Sequence, residues 1–237
     1  MKRFKILGAM LAAMWAMGLM ATSAFALPDI SVTLGSFPLH LNYLNTTVET
    51  KLETTGGALI HGTGLHVLYL TGELTALGTF KAIFLLVTKG AEKCFNQGLE
   101  VNGEVLTEGS FHLVYTSLAG QPGFGLQIGV LYLPKALEGA TGIKCIGSGI
   151  EVKVKGSVIG SINSLPEGEG ERIGQKSVLA GTAGKQNIRA YWNDAGRGLL
   201  AQLLSNMGGG PLESDEVVRE EMEATALNGA MYKITSI

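Results

Sequence analysis

Apolar and polar residues alternate in short segments along most of the chain, and glycines separate these segments. The clearest example is Glu151–Lys155, in which charged residues alternate with valine. Because successive side chains of a strand point to opposite faces, this pattern predicts one wet and one buried face. Phe80–Val87 is apolar on both faces, which is typical of a central strand that is covered on both sides.

The same pattern predicts strands at Ile30–Leu34, Leu39–Leu44, Thr47–Glu53, Gly64–Leu70, Phe80–Val87, Phe111–Ser117, Gly125–Leu133, Glu151–Ile159 and Asn187–Asp194. Almost no segment between residues 27 and 165 has the periodicity of an amphipathic helix. We therefore predict an all-β fold of antiparallel sheets, arranged as a sandwich or a barrel, with at most one or two short helices.

Three further elements are expected near the C-terminus. Leu199–Leu204 is compatible with a short helix that ends at the glycines of 208–210, and a helical turn is expected near Glu213–Val218. Asn228 and Gly229 form a strong hairpin signal, so the segment 221–226 should be followed by a return strand at Ala230–Thr235. We expect a terminal hairpin; a helix that begins at Ser214 and continues through Leu227 is the alternative.

Composition divides the chain into four parts. They are a signal peptide at 1–26, a main β domain at 27–165, a Gly/Glu-rich loop at 166–186 and a C-terminal β segment at 187–237. We expect the last of these to pack on the main domain.

The N-terminal part has the three features of an export signal. A basic start is followed by an apolar stretch of about 16 residues, shorter than the roughly 20 that span a membrane. An A-x-A site then predicts cleavage between Ala26 and Leu27. An uncleaved anchor is the alternative. We expect a protein that is secreted or located in the cell envelope, with no membrane span after cleavage.

Charge argues against some partners. Removing the three basic residues of the leader leaves 15 basic and 20 acidic residues, a formal net charge of −5. Binding to nucleic acid requires clustered lysine and arginine, and the sequence contains no such cluster. We expect no nucleic-acid partner, and the actual partners are not indicated.

The only two cysteines begin two copies of one phrase, K-C-x3-G-[LI]-E-V, which starts at Lys93 and again at Lys144. Later Gly-Ser and Ser-Leu pairs extend the likeness to residues 93–118 and 144–165. An exported protein with two cysteines has one possible intramolecular disulfide, so we predict a bond between Cys94 and Cys145. The two copies should be neighbouring hairpins that this bond links.

The Cys94 segment, the G-S-V-I-G phrase at 156–160, Gln186–Ile188 and the acidic C-terminal segment resemble a group of uncharacterised secreted bacterial proteins. The resemblance implies an exported, glycine-rich β protein. It implies no activity, and therefore no catalytic residues.

Few residues suggest chemistry. The G-x-S-x-G motif of hydrolases is absent, and Ser110 and Ser157 are expected in turns. The four histidines are His40, His61, His66 and His112. His61 and His66 would face opposite sides of one strand unless the intervening glycines break it. We predict no catalytic, cofactor-binding or metal site.

Two acidic clusters are interpreted as solvated surface because neither has the spacing of a calcium loop. Their members are Glu167, Glu169 and Glu171 in the first, and Glu213, Asp215, Glu216, Glu220, Glu221 and Glu223 in the second. Since the carboxylate pair of a glycosidase is defined only in three dimensions, an acidic hydrolase stays open.

The function indicated most directly is that of an exported, non-enzymatic protein with a structural or binding role. A β-barrel that binds a small apolar ligand is the first alternative, because two-faced apolar strands and glycines suit such a ligand. A secreted hydrolase that uses acidic residues is the second.

Overall fold

A computed structural model describes residues 29–34, 39–45, 50–54, 59–71, 77–96, 103–117, 127–135, 141–149, 151–163, 175–179, 185–192, 198–207, 213–217, 220–226 and 231–235. The strands are β1 (Asp29–Leu34), β2 (Leu39–Asn45), β3 (Thr50–Thr54), β4 (Leu59–Gly62), β5 (Gly64–Thr71), β6 (Leu77–Leu85), β7 (Thr88–Lys89), β8 (Glu92–Phe95), β9 (Val105–Ser117), β10 (Gln127–Pro134), β11 (Thr141–Cys145), β12 (Glu151–Gly156), β13 (Val158–Asn163), β14 (Gln175–Leu179), β15 (Ala190–Trp192), β16 (Gly198–Leu200), β17 (Leu203–Met207), β18 (Glu213–Val217), β19 (Glu220–Ala226) and β20 (Met231–Thr235).

The all-β prediction is confirmed, and the described residues contain no helix. Two closed arrangements of strands account for most of the fold. The small barrel has the order β11-β12-β17-β18-β3-β4-β7-β8 and closes on itself through β8 and β11. The large sheet has the order β10-β13-β14-β19-β2-β5-β6-β9-β15-β16. Because β10 also pairs with β9, eight strands of the large sheet form a closed ring as well.

The two rings have the same strand succession. Each strand of the small barrel has a counterpart in the large sheet at the same place in the order, for example β2 with β3, β6 with β7 and β12 with β13. All of the pairings are antiparallel. The chain therefore forms one eight-stranded, up-and-down meander in which each long strand is broken into two shorter ones. The breaks divide the meander into two tiers, which are the small barrel and the closed ring of the large sheet.

The large sheet curls toward the face that carries Phe80. The ring centroids of Phe80 on β6 and Tyr132 on β10 lie 5.3 Å apart in an edge-to-face contact. Strand β9 lies between β6 and β10, so the two rings meet over β9 on one face of the sheet. Phe84 and Val105, on the same face, pack in one cluster with residues of the small barrel. The two tiers therefore share an interior.

Asn96 completes the backbone ladder at one interruption between the tiers. Its Nδ2 donates to the carbonyl oxygen of Leu106 at 2.8 Å, and its Oδ1 accepts from the Leu106 amide at 2.7 Å. The backbone N–H of Asn96 also donates to the carbonyl oxygen of Glu104. The side chain is buried, so these bonds replace those that water would otherwise supply.

Several expectations for single elements are wrong. Leu199–Leu204 is not a helix but contributes to β16 and β17, and the helical turn near Glu213–Val218 is strand β18. Gln175–Leu179, inside the expected loop at 166–186, is strand β14. In each case pairing with neighbouring strands overrides a weak local preference.

The expected terminal hairpin is wrong in its strand pairing. Strand β20 forms where a return strand was predicted, but it pairs with β1 from Asp29↔Thr235 to Leu34↔Met231. Strand β19 pairs with β14 and β2. A turn sequence limits where a chain reverses, and it does not decide which edge the next strand joins.

The cysteine repeat is only partly described. The second copy begins in β11 and turns into β12, so it forms a hairpin. The first copy begins in β8, and its residues 97–102 lie outside the described residues. Structural equivalence of the two copies stays a prediction. Residues 1–28, which include the expected signal peptide and cleavage site, also lie outside the described residues.

Candidate ligand-binding interior

The interior of the large sheet is lined by side chains that alternate along β6 and β9. Phe80 and Ala82 on β6 are buried, whereas the intervening Lys81 is exposed. On β9, Phe111 and Leu113 are 3% and 1% exposed. The register pairs Phe111 with Gly78, and therefore places these buried residues on the same face as Phe80.

Strands β10 and β13 extend this apolar face. Tyr132 pairs with Phe111 on one side and with Val158 on the other, and Val130 pairs with Leu113 and Gly160. All of these residues are buried. The described half of the interior thus combines aromatic rings, branched aliphatic side chains and two small positions, Ala82 and Gly160.

The small barrel is filled at its described positions. Its core is one cluster of buried residues, with Leu52 and Val154 packed against it: Ile60, Val87, Cys94, Val105, Ile143, Cys145 and Val152. Cys94 and Cys145 are directly opposite each other on β8 and β11, and they form the predicted disulfide. This tier is a packed, cross-linked core.

One polar group lies within this core. Ser205 pairs with Val154 and is 1% exposed, and its Oγ makes no hydrogen bond with any of the described residues. A buried hydroxyl without a partner is unfavourable in an apolar interior.

The outer surface has the opposite character. Lys81 and Glu108 face each other on β6 and β9 and are both exposed. Lys144, Lys153 and Lys155 on β11 and β12 are exposed as well. On these strands, charged residues alternate with buried apolar ones, so the described tiers have an apolar interior and a charged exterior. This confirms the alternation predicted for Glu151–Lys155.

The covered central strand predicted at Phe80–Val87 is only partly correct. Strand β6 is central, lying between β5 and β9. Its outer face, however, carries exposed Lys81 and half-buried Ile83 and Leu85, and the next residue, Leu86, is 58% exposed. The outer side of β6 is therefore not covered along its length.

A different part of the outer face is covered by the hairpin β15–β16 and its flanking residues. Ile188, Tyr191 and Ala201 pack against a buried cluster on the outside of the ring: Val114, Leu131 and Ile159. Gln186 joins this layer, since its Nε2 donates to the carbonyl oxygen of Ser157 at 3.2 Å. The sequence did not indicate this packing, because the covering residues are scattered among polar ones.

The histidines that suggested a site lie in different places. His61 is on β4 of the small barrel and pairs with Lys51, whereas His66 is on β5 of the large sheet and pairs with Leu44. The bend at Thr63 separates their strands. Among the residues that the structure describes, no three His, Cys, Asp or Glu side chains are grouped as metal ligands.

His112 lies on the outer side of β9, opposite Leu131 and Leu77. It is half-buried, and desolvation lowers the pKa of its imidazole below the ordinary value of 6.5. His40 belongs to β2. The four histidines therefore lie on four different strands, β2, β4, β5 and β9.

The serines and acidic residues are placed as follows. Ser110 lies within strand β9 and not in a turn, so that expectation is wrong; Ser157 lies at the short break between β12 and β13. Glu167, Glu169 and Glu171 lie outside the described residues. The second acidic cluster belongs to β18 and β19, so it is part of both tiers.

No family model, no curated protein and no solved structure matches this chain. Within the described residues, no helix has the length and apolarity needed to cross a membrane.

Proposed function

We propose that this protein is an exported, non-enzymatic binding protein that takes a small apolar ligand into the interior of its large sheet. The closed, eight-stranded meander carries this proposal. Eight strands give an interior that is either just filled by side chains or holds one small ligand. The apolar inner face, with its edge-to-face pair Phe80 and Tyr132, offers the surface that such a ligand needs.

The two tiers have different roles in this proposal. The small barrel is packed and cross-linked by Cys94–Cys145, and so serves as the closed end. The large sheet provides the binding level, where Ala82 and Gly160 occupy little of the interior.

Export is part of the proposal and rests on the leader sequence and the A-x-A site before Leu27. The disulfide is compatible with an oxidising compartment. N-terminal sequencing of the secreted or periplasmic protein tests this directly: we expect Leu27, and Met1 would contradict it.

Ligand binding is tested by thermal unfolding of the oxidised, exported protein with medium-chain fatty acids, alkanols and aromatic hydrocarbons. A ligand at about 100 times its Kd stabilises the folded state by about 2.7 kcal/mol. We expect an increase in Tm with apolar compounds and not with sugars or divalent cations.

Two tryptophan variants locate the site. Ala82→Trp fills the interior and should abolish the ligand-dependent increase in Tm, whereas Lys81→Trp places the same side chain on the outer face and should keep it. Ala82→Leu is the milder variant if the tryptophan prevents folding. If side chains already fill the interior, Ala82→Leu should instead lower the free energy of unfolding by about 1–3 kcal/mol. In that case no apolar compound should change the Tm of the wild type. That result would favour a purely structural role, and hydrolysis of a glycan substrate would favour the acidic hydrolase.

A further inference from the structure

The hairpin β15–β16 presents a sheet edge on the outside of the ring. β16 is the last strand in the order of the large sheet, and among the described residues its backbone pairs only with β15. An edge strand carries amide and carbonyl groups that another extended chain can bind. Position alone would be ordinary, because every open edge has this property.

The residues of β16 make this edge unusual. Leu200 is 78% exposed and Leu199 is 39% exposed. Proteins normally protect such an edge with lysine, proline or a bulge, and Gly198–Leu200 contains none of these. Exposed apolar side chains next to an open edge are the two components of strand addition, in which the backbone gives affinity and the side chains give specificity.

The edge is also anchored to the ring. Ile188, Tyr191 and Ala201, which flank it, belong to the cluster packed on the outer face of the ring. The Ala201 amide donates to the carbonyl oxygen of Arg189 at 2.8 Å, which continues the hairpin ladder beyond Leu200. A partner that binds here does not have to order the edge, so less of the binding free energy is lost.

Charge selects the kind of partner. Arg189 adjoins the hairpin and Lys185 precedes it in the chain; both are exposed, and the described residues 185–192 and 198–207 contain no Asp or Glu. The charged residues described here are therefore both basic, in a chain whose formal net charge is −2, and the segment that connects the two strands adds one charge of each sign, from Asp194 and Arg197. Two copies pairing through β16 would bring like charges together, whereas an acidic segment would be attracted.

We propose that β16 is a docking edge for an extended, acidic and apolar peptide segment of a partner protein, which adds to the large sheet as a further strand. This surface lies outside the ring, so the proposal does not depend on a ligand in the interior.

The test uses the oxidised, exported protein and three capped eight-residue peptides, with Trp192 fluorescence or calorimetry as the readout. The first peptide alternates valine and glutamate, the second alternates valine and lysine, and the third is the acidic peptide with alternate amides N-methylated. We expect saturable binding of the first peptide only, weakened by added salt.

The variants Leu200→Glu and Arg189→Glu should each weaken binding of the acidic peptide about tenfold or more. Ile146→Glu is the matched control, because Ile146 is 52% exposed and lies in the turn after β11. This variant should bind the acidic peptide like the wild type. The proposal is overturned if the acidic and basic peptides bind equally, if N-methylation has no effect, if Leu200→Glu binds normally, or if no peptide binds. A dimer in sedimentation that Leu200→Glu dissociates, without peptide binding, would assign the edge to a second copy and also overturn it.

Discussion

Asn96 shows how one side chain can replace the backbone hydrogen bonds that a neighbouring strand would otherwise form. Both polar atoms of its amide bond to the backbone of Leu106, and the residue is 6% exposed. Removing the amide takes these two bonds from the partly buried N–H and carbonyl of Leu106, which costs about 1–3 kcal/mol in total.

We therefore expect Asn96→Ala to lower the free energy of unfolding in urea by that amount. Asn187→Ala removes an exposed amide of the same type and should change stability by less than about 0.5 kcal/mol. Equal effects of the two substitutions would show that the Leu106 bonds do not stabilise the fold.

His112 is the residue for which a pH effect is expected. Burial lowers the pKa of its imidazole because the charged form loses hydration. The unfolded chain therefore binds a proton at higher pH than the folded protein does. The contribution of His112 to stability is complete above the unfolded pKa and decreases as the pH falls through the lowered, folded pKa.

Urea unfolding between about pH 7 and pH 5 measures this contribution. We expect the free energy of unfolding of the wild type to decrease as the pH is lowered, and that of His112→Gln to decrease less steeply. Parallel curves for the two proteins would exclude His112 as the cause.

At the scale of the element, Gly109 allows β9 to approach β10 closely. A Cβ at this position would collide with the carbonyl oxygen of Leu133 and lie 2.8 Å from the Cα of Pro134. Neither backbone atom can move without changing the strand pairing. Gly142 is a matched contrast, because its Cβ would meet only the flexible carboxylate of Glu151.

Gly109→Ala should therefore lower the free energy of unfolding by about 1–3 kcal/mol, through overpacking. Gly142→Ala should be close to neutral, because Glu151 can move aside. A neutral Gly109→Ala, measured in the same urea titration, would mean that β9 and β10 are farther apart than described.

The pairing of β8 with β11 involves only two residue pairs, Lys144↔Phe95 and Cys145↔Cys94. The disulfide therefore closes the small barrel where its ladder is short. A cross-link over a loop of about 50 residues contributes about 4 kcal/mol in the chain-entropy model.

We expect the double substitution Cys94→Ala and Cys145→Ala to lower stability by about that amount, and a reductant to do the same to the wild type. The reductant should leave the double variant unchanged. Equal stability of oxidised and reduced wild type would contradict this role.

At the scale of the whole molecule, deleting different C-terminal strands should affect the fold differently. β20 pairs only with β1 among the described strands, whereas β18 and β19 complete the small barrel and the large ring. A chain that ends at Ala226 should keep a single cooperative unfolding transition and its near-ultraviolet circular dichroism. A chain that ends at Met207 should lose both, because it opens both tiers.

The informative result is the difference between the two truncations. If the shorter chain folds cooperatively, closure by β18 and β19 is not required. If the chain that ends at Ala226 fails to fold, the β1–β20 pair is part of the central structure and not an addition to it.

The amino-acid sequence determined the local structure and the disulfide. Alternation and glycine spacing predicted strands close to β1, β2, β5, β10, β19 and β20, because the period of two is a property of the strand itself. The bond between Cys94 and Cys145 followed from the presence of only two cysteines.

Tertiary structure decided which strands are neighbours. Closure through β9–β10 and β8–β11, the pairing of β20 with β1, and the strands formed by Leu199–Leu204 and Glu213–Val217 all depend on residues far apart in the chain. Short elements such as β7 and β16 have too few residues for a periodic signal, and their pairing with neighbours defines them. The candidate interior and the β16 edge exist only after these non-local pairings form. The local pattern could therefore suggest an apolar interior, but it could not indicate which residues line it or that β16 is an edge.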